Sequence, residues 1–459
     1  MSIAPAATDI SAKAVPAEEE APENTKVTGA WFNRVPPGWQ AAPIKRLFRL
    51  VNGATPAADE ATYWGGEIAW ATPDDLGSLT GSRLRTTART LSRDGYANCG
   101  ASIVPAESLV LSTRAPIGHV AIADGPMCTN QGCRSLVAWR PVSATYFYYQ
   151  LLAARPLLES LGNGSTFKEL RGSELGRVVV ALPPLPEQRA IATFLDERTR
   201  RIDELIEKKR RLLALLDEQR TALITRAVTK GLNPDAPMKP SGIDWLGDVP
   251  RHWSVTGLKR LCSGWCDGPF GSSLKSEHYT EHGVRVVRLQ NIGEGEFNAG
   301  DAAYIGEDYY SILGDHDVEA GDVLVAGLGD NAHPVGRSCT APQGIGRAMV
   351  KADCFRFRVL PARADASYLA NLLSAFARLT PGRDSTGTTR SRLNLVAISN
   401  RAVLVPPLSE QRLIVSHLVK HTAKITRAES HIRAALCGLA EYRQALISAA
   451  VTGVITVGQ

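Results

Sequence analysis

At 459 residues, 44% of them hydrophobic and 21% charged, the chain has apolar material for two or three buried cores, which excludes an overall disordered or membrane-embedded protein. No apolar run approaches the ~18 residues of a spanning helix, so a soluble, multidomain protein is expected. The formal net charge of +6 is mild and permits a nucleic-acid partner without requiring one, so the distribution of basic residues carries more information than their sum.

In chain order, the first segment, residues 1–30, is rich in Ala, Pro and Glu and lacks the basic-then-apolar pattern of a signal peptide; a disordered leader is expected. Residues 31–184 form a first domain that opens on Val35-Pro36-Pro37-Gly38-Trp39 and Ile44-Lys45-Arg46-Leu47. Its interior reads as short strands bounded by turn residues, such as Glu67 to Ala71 and Ser108 to Ser112, with a helix from Tyr146 to Leu161. Arg83, Arg85, Arg89 and Arg93 cluster within it, and Lys168 and Arg171 close it.

Residues 185–232 follow as a long helix. Pro186 in the first turn, Glu187 at the positive dipole end, and Gly231 and Pro234 beyond the last turn place it at about 186 to 230. At ~1.5 Å per residue it is a rod of roughly 65 Å, far beyond an ordinary globular helix. A linker, 233–244, leads to a second domain at 245–405, which opens alike on Val249-Pro250-Arg251-His252-Trp253 and Leu258-Lys259-Arg260-Leu261. Strands are expected at Val284 to Leu289 and Asp322 to Val325, and a helix at Ser367 to Arg378.

Residues 406–459 then repeat the rod. Pro-Pro-Leu-Pro-Glu-Gln-Arg at Pro183 to Arg189 returns as Pro-Pro-Leu-Ser-Glu-Gln-Arg at Pro406 to Arg412, 223 positions later (406 − 183), and the offset holds without a gap. Leu195, Ile202, Leu216 and Leu223 in one rod, and Leu418, Ile425, Ile432, Leu439 and Leu446 in the other, recur at heptad spacing. Lys209 breaks the first seam where the second has Ile432. Flanking charges such as Asp203, Glu204 and Lys208 would solvate the outer face. Each rod could pack on its neighbouring domain, but equal length and gap-free register favour packing of the rods on each other. An antiparallel pairing keeps the two domains from colliding.

The chain is thus a tandem duplication of domain plus rod, α+β and mostly sheet outside the rods. Dissimilar interiors on one scaffold suggest two reading heads held apart by rigid spacers. Duplex DNA, with its own dyads and equivalent groove faces ~34 Å apart, is the ligand such a dyad suits. Candidate contacts, chosen by charge, hydrogen-bonding capacity and loop placement, are Arg83, Arg85, Arg89, Arg93, Lys168 and Arg171 in the first head. Those in the second are Arg288, Gln290, Asn291, Arg390 and Arg392.

The repeated Pro-Pro-Leu-x-Glu-Gln-Arg rods and Val-Pro-x-x-Trp openings, Thr129-Asn130-Gln131-Gly132-Cys133-Arg134-Ser135-Leu136, Asp267-Gly268-Pro269-Phe270-Gly271-Ser272, and the loops at Gly164 to Thr166 and Gly387 to Thr389 closely resemble the specificity (S) subunit of type I restriction–modification systems, over about residues 31 to 455. The resemblance implies two similar, mostly-β target-recognition domains separated by two long α-helices pairing as an antiparallel coiled coil, with pseudo-twofold symmetry. Each domain would grasp half of a bipartite, asymmetric DNA site, and the helices would dock adenine methyltransferase (modification) subunits that support restriction/translocase subunits. S-adenosylmethionine, ATP and magnesium would belong to those partners, with no cofactor on this chain. The leader has no counterpart in the repeat. A related two-part-site methyltransferase or nuclease system, or a protein-binding coiled-coil adaptor, is the alternative.

The residues agree with a non-catalytic role. The chain has no Gly-x4-Gly-Lys-Ser/Thr phosphate loop and no Asn/Asp-Pro-Pro-Tyr/Phe run, and the Gly-x-Gly fragments at Gly293, Gly327 and Gly344 do not extend to a dinucleotide fingerprint. Pro73-Asp74-Asp75 lacks a following Glu-x-Lys and reads as a helix start or turn. Cys262 and Cys266 with His278 and His282 are too loosely spaced for a zinc site, so no metal is expected. Scattered cysteines point to reduced thiols and a cytoplasmic chain.

Overall fold

The computed structural model describes residues 25–26, 31–163, 168–270, 273–330, 333–381 and 392–457. The chain divides into two compact units. One comprises the described residues up to Lys208 together with those from Ala435 onward, the other Lys209–Ala434. The boundary falls within the two long helices, Leu185–Lys230 (46 residues) and Leu408–Val451 (44 residues), so each unit holds one head and a part of both helices.

In the first unit an antiparallel sheet is built from Phe48–Asn52, Cys133–Ala138, Leu109–Ser112 and Val120–Ala123, in that spatial order, with Arg83–Leu84 added at the edge. Trp64–Ala71 runs parallel to Met127–Thr129 and antiparallel to Thr90–Leu91. The second unit repeats the plan with Cys262–Cys266, Cys354–Val359, Val323–Ala326 and Ser338–Thr340, and with Val284–Val287 parallel to Ala348–Val350. Full burial of Leu109, Val110 and Leu111, and of Val323, Leu324 and Val325, accounts for these central strands reading as unbroken apolar runs. The expected strands and helices lie in these positions, except that Tyr146 to Leu161 is two helices, Ala144–Ala153 and Arg155–Ser160.

The duplication extends to hydrogen-bond register. Gln40 pairs with Leu182 and Ser254 with Val405, partners displaced by 214 (254 − 40) and 223 (405 − 182). One expectation needs correction. Thr25 and Lys26 pair with Val35 and Arg34, as Lys239 and Pro240 pair with Val249 and Asp248. Thr25 and Lys26, within the expected leader, therefore do have a counterpart in the repeat, and part of the expected linker is the matching ribbon.

Each head is closed by the ends of both helices. In the first unit Ile191, Ala192 and Leu195 share a core with Ile447, Ala450 and Val451; in the second Ile414 and Leu418 share one with Ala227 and Val228. The repeated Gln of the rod motif fixes the helix start. Gln188 accepts from Ser143 N (2.9 Å) and donates to Pro183 O (2.9 Å), and Gln411 accepts from Asp365 N (2.8 Å) and donates to Pro406 O (2.8 Å). The far ends stop at glycines with φ of 75° (Gly231) and 72° (Gly453). A Cβ at Gly231 would sit 3.2 Å from the Trp253 ring, and one at Gly453 would sit 2.2 Å from Pro36 Cγ and 3.3 Å from the Trp39 ring, which gives the Val-Pro-x-x-Trp opening its structural task.

Within each unit the helices run antiparallel. In the first, Arg443 holds Asp203 (2.9 Å); in the second, Arg220 holds Glu429 (2.9 Å) and Thr426 (3.0 Å). Leu195, Ile202, Leu418, Ile425 and Ile432 are buried, whereas Leu216, Leu223, Leu439 and Leu446 are half-buried, as is Lys209. Both weighed packings are thus present, mutual pairing along the helices and packing into the heads at their ends.

Candidate nucleic-acid interface

Between equivalent strands the two heads carry segments of like topology and unlike sequence: a short strand antiparallel to the first, Thr90–Leu91 or Tyr304–Ile305, and then a short helix. Between Trp64–Ala71 and Leu109–Ser112 the first head carries Arg83–Leu84, Thr90–Leu91 and the short helix Arg93–Ala97. Between Val284–Val287 and Val323–Ala326 the second carries Tyr304–Ile305, the helix Glu307–Leu313 and Asp317–Val318.

The first head's arginines divide by what they touch. Arg83 pairs with Glu107 and lies 3.6 Å from Asp124, and Arg85 Nε donates to Asp124 Oδ2 at 2.8 Å. The Arg85 hydrogen bond, helped by Arg83, holds the Asp124 carboxyl below the usual carboxylate range. These two guanidiniums come together on a shared carboxylate and are partly neutralised. Arg89 instead lies over the Trp64 ring, its Cζ 3.3 Å from the ring centre. Arg93 opens the helix capped by Ser92, whose hydroxyl accepts from Gly95 N (3.0 Å), and its side chain is exposed. Lys168 and Arg171 are exposed, Arg171 standing just before the helix Gly172–Arg177.

Asp75, weighed as a catalytic carboxylate and read as a helix start, is the latter. It closes a capping box with Thr72 at the helix Pro73–Gly77, and its other oxygen accepts from Ala88 N at 2.8 Å. Thr87 Oγ1 accepts from Trp70 N (3.2 Å) and donates to Arg89 O (2.7 Å), so the arginine-bearing loop is tied to the sheet on both sides.

In the second head the candidates fare less evenly. Asn291 is fully buried, accepting from Arg288 N (2.8 Å) and donating to Asn298 O (2.9 Å) and Asp301 O (2.7 Å); the Arg288 side chain is bound to Asp301. Both side chains direct hydrogen bonds inward, to the 298–301 loop. Gln290 between them is exposed. Arg392 reaches Asp353 through Nε (2.9 Å) and Nη2 (2.8 Å), with its guanidinium 5.7 Å from the Phe270 ring centre. Arg390, the loops at Gly164 to Thr166 and Gly387 to Thr389, and Gly271 and Ser272 lie outside the described residues.

Burial pushes the Cys262 thiol up to about 12; Cys262 and Cys266 lie on one strand, while His278 stacks on Tyr309 with ring centres 4.0 Å apart. Among the described residues no three His, Cys, Asp or Glu side chains gather as metal ligands, and none of the eight cysteines is in a disulfide. No described helix is long and apolar enough to cross a membrane. Sequence reasoning passed over Trp64, whose only signal was an aromatic between turn residues, and the pair Arg220 and Arg443, which their common offset of 223 (443 − 220) would have exposed.

A family model described as the type I restriction modification DNA specificity domain matches residues 36–214. The MjaIX specificity subunit of Methanocaldococcus jannaschii is 35% identical over 189 residues, 41% of this chain and 43% of the relative; matches to two further subunits of that organism cover 44% and 40% of theirs, so the chain matches less than half the length of these relatives. The EcoBI specificity subunit of Escherichia coli is 23% identical over 426 residues, 90% of this chain and 80% of the relative. A chain solved in work on complex assembly and conformational transition of the type I R-M system superposes with a TM-score of 0.68 at 15% identity, over 92% of this chain and 99% of that one, and shares its fold. With a duplicated head-and-helix architecture, the chain is similar over residues 36–214 to the type I restriction modification DNA specificity domain and, along most of its length, to a type I restriction enzyme specificity subunit.

Proposed function

We propose that this chain recognises DNA sequence for a type I restriction–modification complex, each head reading one half of a bipartite, asymmetric site. The observation that carries the reading is the duplicated scaffold with segments of like topology and unlike sequence between equivalent strands of the two heads. A shared frame keeps the heads in equivalent orientation relative to their own helix ends, while segments of unlike sequence would select unlike DNA sequences. The exposed Arg89, Arg93, Lys168 and Arg171 in the first head, and Gln290 and Arg392 in the second, are the proposed contact groups. Phosphate neutralisation would supply most of the affinity and base-edge contacts the specificity.

The long helices would set the spacing of the half-sites and dock the methyltransferase subunits. Leu205, Leu212 and Leu215 support that second role, since they remain 44% to 50% exposed on a helix already paired with its partner. Catalysis would rest with the partners, which carry S-adenosylmethionine, ATP and magnesium in a cytoplasmic assembly. Mapping methylated adenines in cells carrying the complete system tests the proposal: one asymmetric two-part motif is expected, and a single contiguous motif would contradict it.

A further inference from the structure

We infer that Arg89 reads a guanine edge in the half-site of the first head, with Trp64 as its positioning residue. The inference rests on the reading of the head as a DNA-recognition module and names one base contact within it.

Trp64 begins the strand Trp64–Ala71, and Arg89 immediately precedes Thr90–Leu91, the strand paired with it. That pairing sets the guanidinium 3.3 Å above the centre of the Trp64 ring, and Trp64 is itself braced edge-on by Trp70, with ring centres 5.0 Å apart at 76°. Trp70 is fixed in turn by its indole N–H donating to Ala54 O at 2.9 Å. The Trp64 indole N–H is buried without an acceptor, so the ring sits where stacking places it rather than where a hydrogen bond would. The Arg89 backbone carbonyl is held by Thr87, and the preceding Ala88 N–H by Asp75.

Only the plane of the guanidinium is engaged. Among the described residues Arg89 has no hydrogen-bond acceptor and no ion-pair partner, and its side chain is exposed, whereas Arg83 and Arg85 already direct their donors to Glu107 and Asp124. A planar fork whose face is fixed and whose edge is unused is prepared for a coplanar, two-point acceptor. In the major groove that acceptor is O6 and N7 of guanine. A phosphate also accepts two hydrogen bonds, but neutralising it requires charge and no fixed plane, which a lysine or an unstacked arginine provides.

The test uses the complete complex with its modification subunits, measuring binding and methylation on duplexes that vary one base pair at a time. Arg89→Lys keeps the charge and removes the fork; discrimination at one G·C pair of the first half-site should fall on the order of 10- to 100-fold, with the second half-site unchanged. Trp64→Leu should weaken discrimination at the same pair, and Trp64→Tyr should restore most of it. Should Trp64→Leu fail to fold, Arg89→Lys and Arg89→Ala carry the test. Full discrimination in Arg89→Lys would overturn the inference. So would an Arg89→Ala complex that loses affinity equally on every sequence while its salt dependence flattens by about one ion, the mark of a phosphate contact. A wild-type complex without any sequence preference would instead defeat the underlying reading of the head.

Discussion

The Tyr146 hydroxyl donates to the carbonyl of Val451 at 3.0 Å, joining the first head to the last turn of the second long helix. The second head repeats the bond with Tyr368 and Val228, 3.2 Å apart, at the last turns of the first long helix. Terminal helix carbonyls lack an intrahelical donor, and buried ones need another. In the first head Gln150 Nε2 also donates to Val451 O, at 2.8 Å, while the second head has Leu372 at the corresponding position. Tyr368→Phe is therefore expected to cost about 1–3 kcal/mol and Tyr146→Phe less, since only the first change orphans a buried carbonyl. Denaturant melts of the two variants give the order; an equal loss in both would contradict it.

The inter-helix ion pairs differ in the same instructive way. Glu429 is 13% exposed and Arg220 28%, against 51% for Asp203 and 27% for Arg443. Removing Arg220 leaves a shielded carboxylate without its partner, so Arg220→Ala should destabilise by roughly 2–3 kcal/mol. Arg443→Ala, beside the exposed Asp203, should cost about 1 kcal/mol or less and lose its effect in high salt. Melting both variants at low and high ionic strength checks the contrast.

A third expectation concerns the seam. Leu195 is fully buried where the first helix enters the first head's core, and Leu216 is only half-buried. Leu195→Ala should cost about 2–5 kcal/mol, and Leu216→Ala clearly less, because its site can be reached by water. Unfolding free energies of the two variants would reveal any reversal.

The pH response of the second head should report Asp267. Burial pushes its carboxyl up to about 6, against ~3.9 in an unfolded chain. The folded state therefore binds the proton more tightly, and the stabilisation present below about pH 4 is lost as pH rises through 6. Asp267→Asn keeps an oxygen for Gly268 N (2.7 Å) and Asp353 N (3.0 Å) and removes the titration. The melting temperature of wild type relative to the variant should fall between pH 4 and 7; a constant difference would contradict this.

These relationships show what the sequence could and could not express. Heptad spacing and the repeated Glu-Gln-Arg motif made the two helices legible to within a residue or two, because periodicity and helix-end chemistry are local. The repeated glutamines and tryptophans were visible as a pattern, but their tasks were not: Gln188 meets Ser143 across 45 residues, and Trp39 lies under Gly453 across 414 (453 − 39). Charge and residue type likewise nominated Arg288 and Asn291, which the fold turns inward on the 298–301 loop. A basic side chain in a loop is ambiguous until its neighbours are placed, and Arg83 on Glu107 and Arg89 on Trp64 illustrate the two outcomes within six residues.

On the proposed reading the two heads act independently of each other. Replacing residues 31–184 with those of a relative that recognises a different sequence, then mapping methylated adenines with the complete system, tests it directly. One half of the two-part motif should change while the other half stays as it was; a change in both halves, or in neither, would contradict the account.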